Sequence, residues 1–205
     1  MKIIDLQYFP PAVYFAQLMT NNLLIEQFEN YEKQSYRNRC RILTANGVDE
    51  LSVPVLGGNS KQLMRDVKID YHQKWVNRHW RAIQSSYGKA PFFEFYSEEI
   101  KRTLYSNTTF LIDLNWSILT LCLDLLQFDP HLSLTEAYDP LLNCRENDLR
   151  SAIHPKKPYQ ATLAYAPQPY PQVFGNKFVK DLSVLDVLFC EGPNAYAVIK
   201  SGIID

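Results

Sequence analysis

Arg37-Asn38-Arg39-Cys40-Arg41-Ile42-Leu43-Thr44-Ala45-Asn46-Gly47-Val48-Asp49-Glu50-Leu51-Ser52-Val53-Pro54-Val55 is the stretch from which the fold is read. Asn46-Gly47 suits the positive φ angles of a tight hairpin turn, so arms from Arg37 to Ala45 and from Val48 to Val55 are expected to pair antiparallel. Leu51, Val53 and Val55 alternate with Ser52 and Pro54, which buries one face of the second arm. On the first arm Arg37, Arg39 and Arg41 alternate with Asn38, Cys40 and Ile42. Period two places the three guanidiniums on one face, neighbours roughly 6.5–7 Å apart. Each offers a planar fork of donors matched to phosphate or carboxylate, and Lys33 lies four residues upstream. Two readings stand: an anion subsite for a nucleotide diphosphate or a carboxylate, or a sheet face whose arginines pair with acids on neighbouring elements.

Outward from the hairpin, the pattern alternates short strands with helices. Ile3 to Tyr8 reads as a strand that Pro10-Pro11 ends, because proline cannot donate to a ladder. A helix follows over Ala12 to Met19, Asn21-Asn22 breaks it, and Leu23 to Gln27 is a second strand. Beyond the hairpin, Val67-Lys68-Ile69-Asp70 suits a further strand. Tyr71 to Tyr87 then carries Trp75, His79, Ile83 and Tyr87 on one helical stripe, with Lys74, Arg78 and Arg81 on another. Gly88 closes that helix and Pro91 opens the next, to about Tyr105. Asn107-Thr108-Thr109 offers caps for a long helix to Leu126. Leu132 to Thr135 reads as a strand, His154 to Gln172 as an ordered surface loop, and Val184 to Cys190 as a helix capped by Ser183 and stopped at Gly192-Pro193. The expected fold is α+β (mixed α/β): a small sheet with a β-hairpin packed against several helices, in one domain over residues 1–205.

Composition narrows the function. An apolar content of 46% supports a real core, and a net charge of −1 with no cationic block argues against nucleic-acid binding. The N-terminus lacks the features of a signal peptide. The longest apolar run, Phe110 to Phe128, is interrupted by Asp113, Asn115, Asp124 and Gln127, so it reads as a buried helix and not a membrane span. A cytoplasmic protein is expected, with Cys40, Cys122, Cys144 and Cys190 as reduced thiols outside any metal-ligand spacing. No P-loop, dinucleotide fingerprint, HExxH or GxSxG motif occurs, so the familiar enzyme classes with short signatures are not supported and the cofactor stays unknown.

His79 is the histidine with the most to weigh. Burial on an aromatic stripe would lower its pKa and leave a neutral imidazole, either a general base or a core histidine bonded to a backbone carbonyl. Asn115 shares a helical face with Leu111, Ile118 and Cys122, so its amide must find partners, in a neighbouring loop or in a pocket. Capping suffices to explain Asp186 in the first turn of the last helix.

Several stretches together resemble the WbqC-like family. Toward the N-terminus they are Gln7-Tyr8-Phe9-Pro10 with Tyr14-Phe15, Lys33-Gln34-Ser35-Tyr36-Arg37-Asn38-Arg39, and Asn46-Gly47 leading to Leu51-Ser52-Val53-Pro54-Val55. Trp75, His79, Ile83 and Tyr87 follow, then Ala90-Pro91-Phe92-Phe93 with Tyr96, Leu114-Asn115, Tyr170-Pro171-Gln172 and Leu182-Ser183-Val184-Leu185-Asp186. Pro11-Ala12-Val13 departs from the pattern. The resemblance implies a bacterial cytoplasmic protein of surface-polysaccharide (O-antigen-type) biosynthesis, transferring an acyl or aminoacyl group to an amino sugar or nucleotide-sugar. It directs attention to Lys33, Asn38, Arg39, His79, Asn115 and Gln172, with Arg37 beside them. On this reading His79 is the base and the arginine strand holds an anionic group. In the alternative, a non-catalytic binding or assembly protein with an aromatic-lined pocket, Arg39 and His79 are ordering residues.

Overall fold

The computed structural model describes residues 2–58, 60–137, 148–158 and 163–204. The chain opens with a βαβ unit: β1 (Lys2–Asp5), α1 (Ala12–Thr20) and β2 (Leu23–Glu26), the strands pairing in parallel with Asp5 opposite Glu26. The hairpin follows, β3 (Arg39–Thr44) against β4 (Gly47–Ser52). Three helices come next, α2 (Trp75–Tyr87), α3 (Phe93–Leu104) and α4 (Leu111–Leu125), then β5 (Ser133–Leu134), α5 (Val184–Glu191) and α6 (Ala195–Ser201).

β5 pairs with β2, giving a parallel sheet in the order β1-β2-β5. On the free side of β1, Asp148 bridges Ile3 in parallel, and the Leu149 N–H donates to the Ile3 carbonyl at 2.8 Å. Ile3, Ile4 and Ile25 have no exposed surface, as expected of parallel strands covered on both faces. The sequence reading anticipated one small sheet with the hairpin; the parallel sheet is an addition, because its partners lie far apart in the chain.

The hairpin forms where expected, with its turn one residue earlier. Thr44 stands opposite Gly47, so Ala45-Asn46 make the reversal, and of these residues Gly47 takes the positive φ, 104°. Pairing continues past the strand ends through the Val53 N–H to the Asn38 carbonyl at 2.7 Å. Cys40, Ile42 and Leu51 are buried beneath it. The helices also follow the pattern. Trp75, His79, Ile83 and Tyr87 are all buried on α2, and burying each apolar side chain of such a stripe is worth about 1.5–3 kcal/mol.

Three local expectations are corrected. Val67 to Asp70 forms isolated bridges, Val55 with Ile69 and Lys68 with Phe110, and not a strand of a sheet. Asn107-Thr108-Thr109 does not cap α4: Phe110 is the N-cap residue and makes no side-chain cap bond, its extended backbone being held against Lys68. Gly192-Pro193 does end α5, but a 3-10 turn (Gly192–Asn194) leads directly into α6, which the sequence reading missed. Ser183 caps α5 as expected, its Oγ accepting from the Leu185 N–H at 3.3 Å. Part of the loop expected over His154 to Gln172, residues 159–162, lies outside the described residues. Most of the buried apolar side chains among the described residues belong to one core cluster.

Candidate functional site

Each parallel strand ends its apolar run in a polar residue: Asp5 on β1, Glu26 on β2 and Thr135 just past β5, with Arg150 and Ser151 just past the Asp148 bridge. Ligands of open parallel sheets bind outside these carboxyl ends, so the polar groups gathered here make the candidate site. Arg37 lies at its centre, 1% exposed. Its Nε and Nη2 donate to the two carboxylate oxygens of Glu29, both at 2.7 Å, and Nη1 reaches Glu32 at 3.3 Å and Asp5 at 3.6 Å. Nη2 also donates to Ser151 Oγ at 3.1 Å. Such a bidentate pair is among the strongest arrangements available to arginine.

Segment 148–155 closes the cluster. The Ser151 N–H donates to Asp5 Oδ1 at 2.9 Å, and its hydroxyl donates to Glu32 Oε2 at 2.5 Å. Gln7 Nε2 donates to Asp5 Oδ2 and to the Ile153 carbonyl. Arg150 grips Asp148 and lies 3.7 Å from Glu26, whose Oε1 accepts from the Phe28 N–H and the Thr135 hydroxyl. Burial pushes the Glu29 carboxyl up to about 7 against the opposing pull of Arg37. For Glu32 burial acts in the same direction, but the Ser151 hydroxyl and Arg37 outweigh it and hold the carboxyl below its usual range. Burial holds His154 low, 3.8 Å from Glu32. The Glu32 side chain is 42% exposed, so the buried ionic network opens to solvent at that carboxylate.

The residues singled out from the sequence do not share one network. Lys33 is on the loop between Glu32 and Arg37 and has an interaction of its own. Asn115 on α4 donates to the Arg37 carbonyl at 2.7 Å, and Asn38 donates to the Val53 carbonyl, so both fix the backbone that aims Arg37. Arg39 pairs with Glu50 across the hairpin, and Arg41 Nη2 donates to the Pro155 carbonyl at 2.7 Å. The three arginines thus have three different partners, and Arg37 alone of them reaches the acids at the strand ends.

His79 belongs to a second network. Its Nδ1 lies 2.9 Å from the Tyr8 hydroxyl and its Nε2 3.2 Å from the Ser52 carbonyl. The carbonyl requires the proton on Nε2, so Nδ1 accepts from Tyr8. Trp75 packs edge-on to the ring, which has no exposed surface. Burial, then the charge of Arg78, lowers its pKa to about 4. Arg39 is registered with Ser52, yet its side chain is turned to Glu50, so the two do not converge on one cleft. Gln172 is in a third network: with the Tyr170 hydroxyl it donates to Asp186 Oδ2, at 2.8 and 2.7 Å. Asp186 has no exposed surface, so it anchors the 170–179 strap as well as sitting in the first turn of α5. The aromatic cavity beside it, lined by Tyr165, Tyr170 and Phe178, has a volume of about 20 Å³, room for one water molecule.

Sequence reasoning missed Asp5, Glu29, Glu32, Asp148, Arg150 and Ser151. The signal was present in two apolar runs ending in acid, Ile3-Ile4-Asp5 and Leu24-Ile25-Glu26, and in the spacing of Glu26, Glu29 and Glu32. Cys40, Cys122 and Cys190 are buried free thiols, and Cys144 lies outside the described residues. Among the described residues no helix is long and apolar enough to cross a membrane.

The model of the WbqC-like protein family matches residues 7–163 and 159–198. The chain belongs to that family. This WbqC-like chain is also 33% identical over 95 residues to an uncharacterised protein of Mycobacterium tuberculosis, a match covering 45% of this chain and 41% of that protein. The similarity therefore spans less than half the length of that relative. No solved structure matches the WbqC-like chain.

Proposed function

We propose that this WbqC-like protein is a transferase that passes an acyl or aminoacyl group to an amino sugar or nucleotide-sugar in the assembly of a bacterial surface polysaccharide. The observation that carries the reading is the arginine-centred network at the carboxyl ends of the parallel strands, which opens at Glu32. A half-exposed carboxylate, ionised at neutral pH and held by Arg37 and Ser151, is placed to take a proton from an attacking amine or hydroxyl. Such general base catalysis contributes about 10²–10⁴-fold. Lys33, Lys156 and Lys157 lie in the segments around Glu32 and suit the anionic part of a nucleotide-sugar. Arg37, Asn38 and Asn115 hold the floor, Arg39 stiffens the hairpin and Gln172 the strap. His79, with both nitrogens occupied, orders the core, and the base role passes to Glu32.

The test is direct transfer. The purified chain, an amino sugar or its nucleoside diphosphate derivative, and activated acyl or aminoacyl donors are incubated, and the acylated sugar is followed by mass spectrometry. Glu32→Gln should reduce turnover by about 10²–10⁴-fold with the fold intact. Absence of transfer, together with an unaltered surface glycan in a deletion strain, would defeat the reading. The engagement of Arg39 and His79 in purely structural contacts favours one alternative, a non-catalytic binding protein. In that case a sugar ligand should raise the melting temperature without being turned over.

A further inference from the structure

Ser151 follows directly on the residues that extend the parallel sheet beside β1, and it holds φ at +54°, a left-handed conformation uncommon outside glycine. Residues held this way persist where surrounding contacts over-determine them, and they cluster at active sites. Here the contacts are the Ser151 N–H to Asp5 and the two hydrogen bonds of its hydroxyl. That hydroxyl is polarised from both sides. It donates to Glu32 Oε2 at 2.5 Å, a charge-assisted bond, while Ser151 Oγ itself accepts from Arg37 Nη2 at 3.1 Å. A carboxylate poised to remove the proton and a guanidinium poised to stabilise the resulting oxyanion are the two things a serine needs to become a nucleophile. Ser151 is half-buried and Glu32 is 42% exposed, so the pair faces solvent while Arg37 lies beneath it. The arrangement differs from a serine–histidine pair: among the described residues no hydrogen bond joins His154 to Ser151, and His154 Nδ1 accepts from the Lys156 N–H.

We infer that Ser151 is the nucleophile that carries the acyl group between donor and acceptor, an inference that rests on the transferase reading. Ser151 Oγ attacks the carbonyl carbon of an activated ester or thioester, and its proton passes to Glu32. The tetrahedral adduct expels the donor's alcohol or thiol, which takes that proton and leaves an ester on Ser151. The acceptor's amine or hydroxyl then attacks this ester, giving its proton to Glu32. Ser151 Oγ departs and recovers the proton, so the chain returns to its starting state with the acyl group transferred and no water consumed. Arg37 offsets the negative charge on Oγ as it attacks and as it leaves.

Intact-mass spectrometry of the full chain tests this. The chain is mixed with p-nitrophenyl acetate, an acetyl thioester or an aminoacyl ester, each without acceptor. A single acyl adduct should appear on the peptide containing Ser151. It should be absent in Ser151→Ala, slowed about 100-fold or more in Glu32→Gln, and unchanged in the control Ser117→Ala on α4. Ser151→Cys keeps the size and a nucleophilic atom, so it should form a thioester even if the alanine variant folds poorly. An adduct on another residue, or no adduct with any of the three donors, overturns the inference. The two failures separate cleanly. Transfer to an amino sugar that survives in Ser151→Ala would sink the covalent step and leave the transferase standing, whereas loss of both transfer and acylation in the parent chain would sink both.

Discussion

Replacing Arg37 with Met removes the charge and keeps an unbranched side chain of comparable reach. In the folded chain this strips Asp5, Glu29 and Glu32 of their shared cation, and the first two of those carboxylates are nearly or wholly buried. Breaking a buried pair by removing one partner costs about 3–5 kcal/mol, because the remaining charge is left uncompensated. For a chain of this length that corresponds to a melting-temperature loss of roughly 6–20 °C. The pH dependence has a definite sign. Without Arg37 the Glu29 carboxyl, already raised to about 7 by burial, is raised further, so its penalty is largest above that pH and fades as protonation neutralises the group at lower pH. Added salt should not close the gap, since buried charges are poorly screened. Urea denaturation of both chains at pH 7.5 and pH 4.5 measures it. A deficit below about 1 kcal/mol at neutral pH, or one equal at both pH values, would refute the account of Arg37 as a buried counterion.

Two buried groups should impose opposite pH slopes. His79, lowered to about 4, is neutral when folded and protonates more readily unfolded, so its contribution is lost as pH falls from ~6.5 toward ~4. Glu29, raised to about 7, contributes stability below its unfolded pKa and loses it as pH rises through about 7. The slopes oppose each other between pH ~4.5 and ~6.5, so His79→Gln should make melting temperature fall as pH rises over that window, and Glu29→Gln should make it rise more steeply. A wild-type profile in either variant removes that group from the account. His79→Gln should also cost about 1–3 kcal/mol while preserving transfer. Gly192→Ala should be destabilising by about 1–3 kcal/mol or more, since φ is +54° and an added Cβ would lie 2.4 Å from the Phe92 ring. An unchanged melting curve there would mean that the turn between α5 and α6 is built differently.

What was legible in the sequence was local. The hairpin could be read because alternation and Asn46-Gly47 act within twenty residues, and α2 because one stripe holds Trp75, His79, Ile83 and Tyr87. The parallel sheet was illegible because its register joins residues that nothing local relates, such as Ile25 with Leu134 and Ile3 with Asp148. The site failed for the same reason. Period two grouped Arg37, Arg39 and Arg41, but whether a guanidinium meets a backbone carbonyl, Glu50 or the acids at the strand ends depends on what crosses above it. His79 shows the complementary limit. Its burial and lowered pKa were readable from the stripe, whereas the occupation of both nitrogens depends on Tyr8 and Ser52, brought from outside the helix.

The bridge between Ile3 and Asp148 has a consequence for synthesis. Asp5 leaves the ribosome well before the Ser151 amide that it accepts from, which lies 146 positions later. At ordinary elongation rates the second partner emerges about 7–30 s after the first. Throughout that interval β1 has an unpaired edge and apolar side chains with no lasting cover, a state that invites association with other nascent chains. The segment that completes the candidate site is therefore also the one that covers the free edge of β1. A chain truncated before Asp148 would lack Ser151 and would expose the same strand edge, so an incomplete site and aggregation should arrive together.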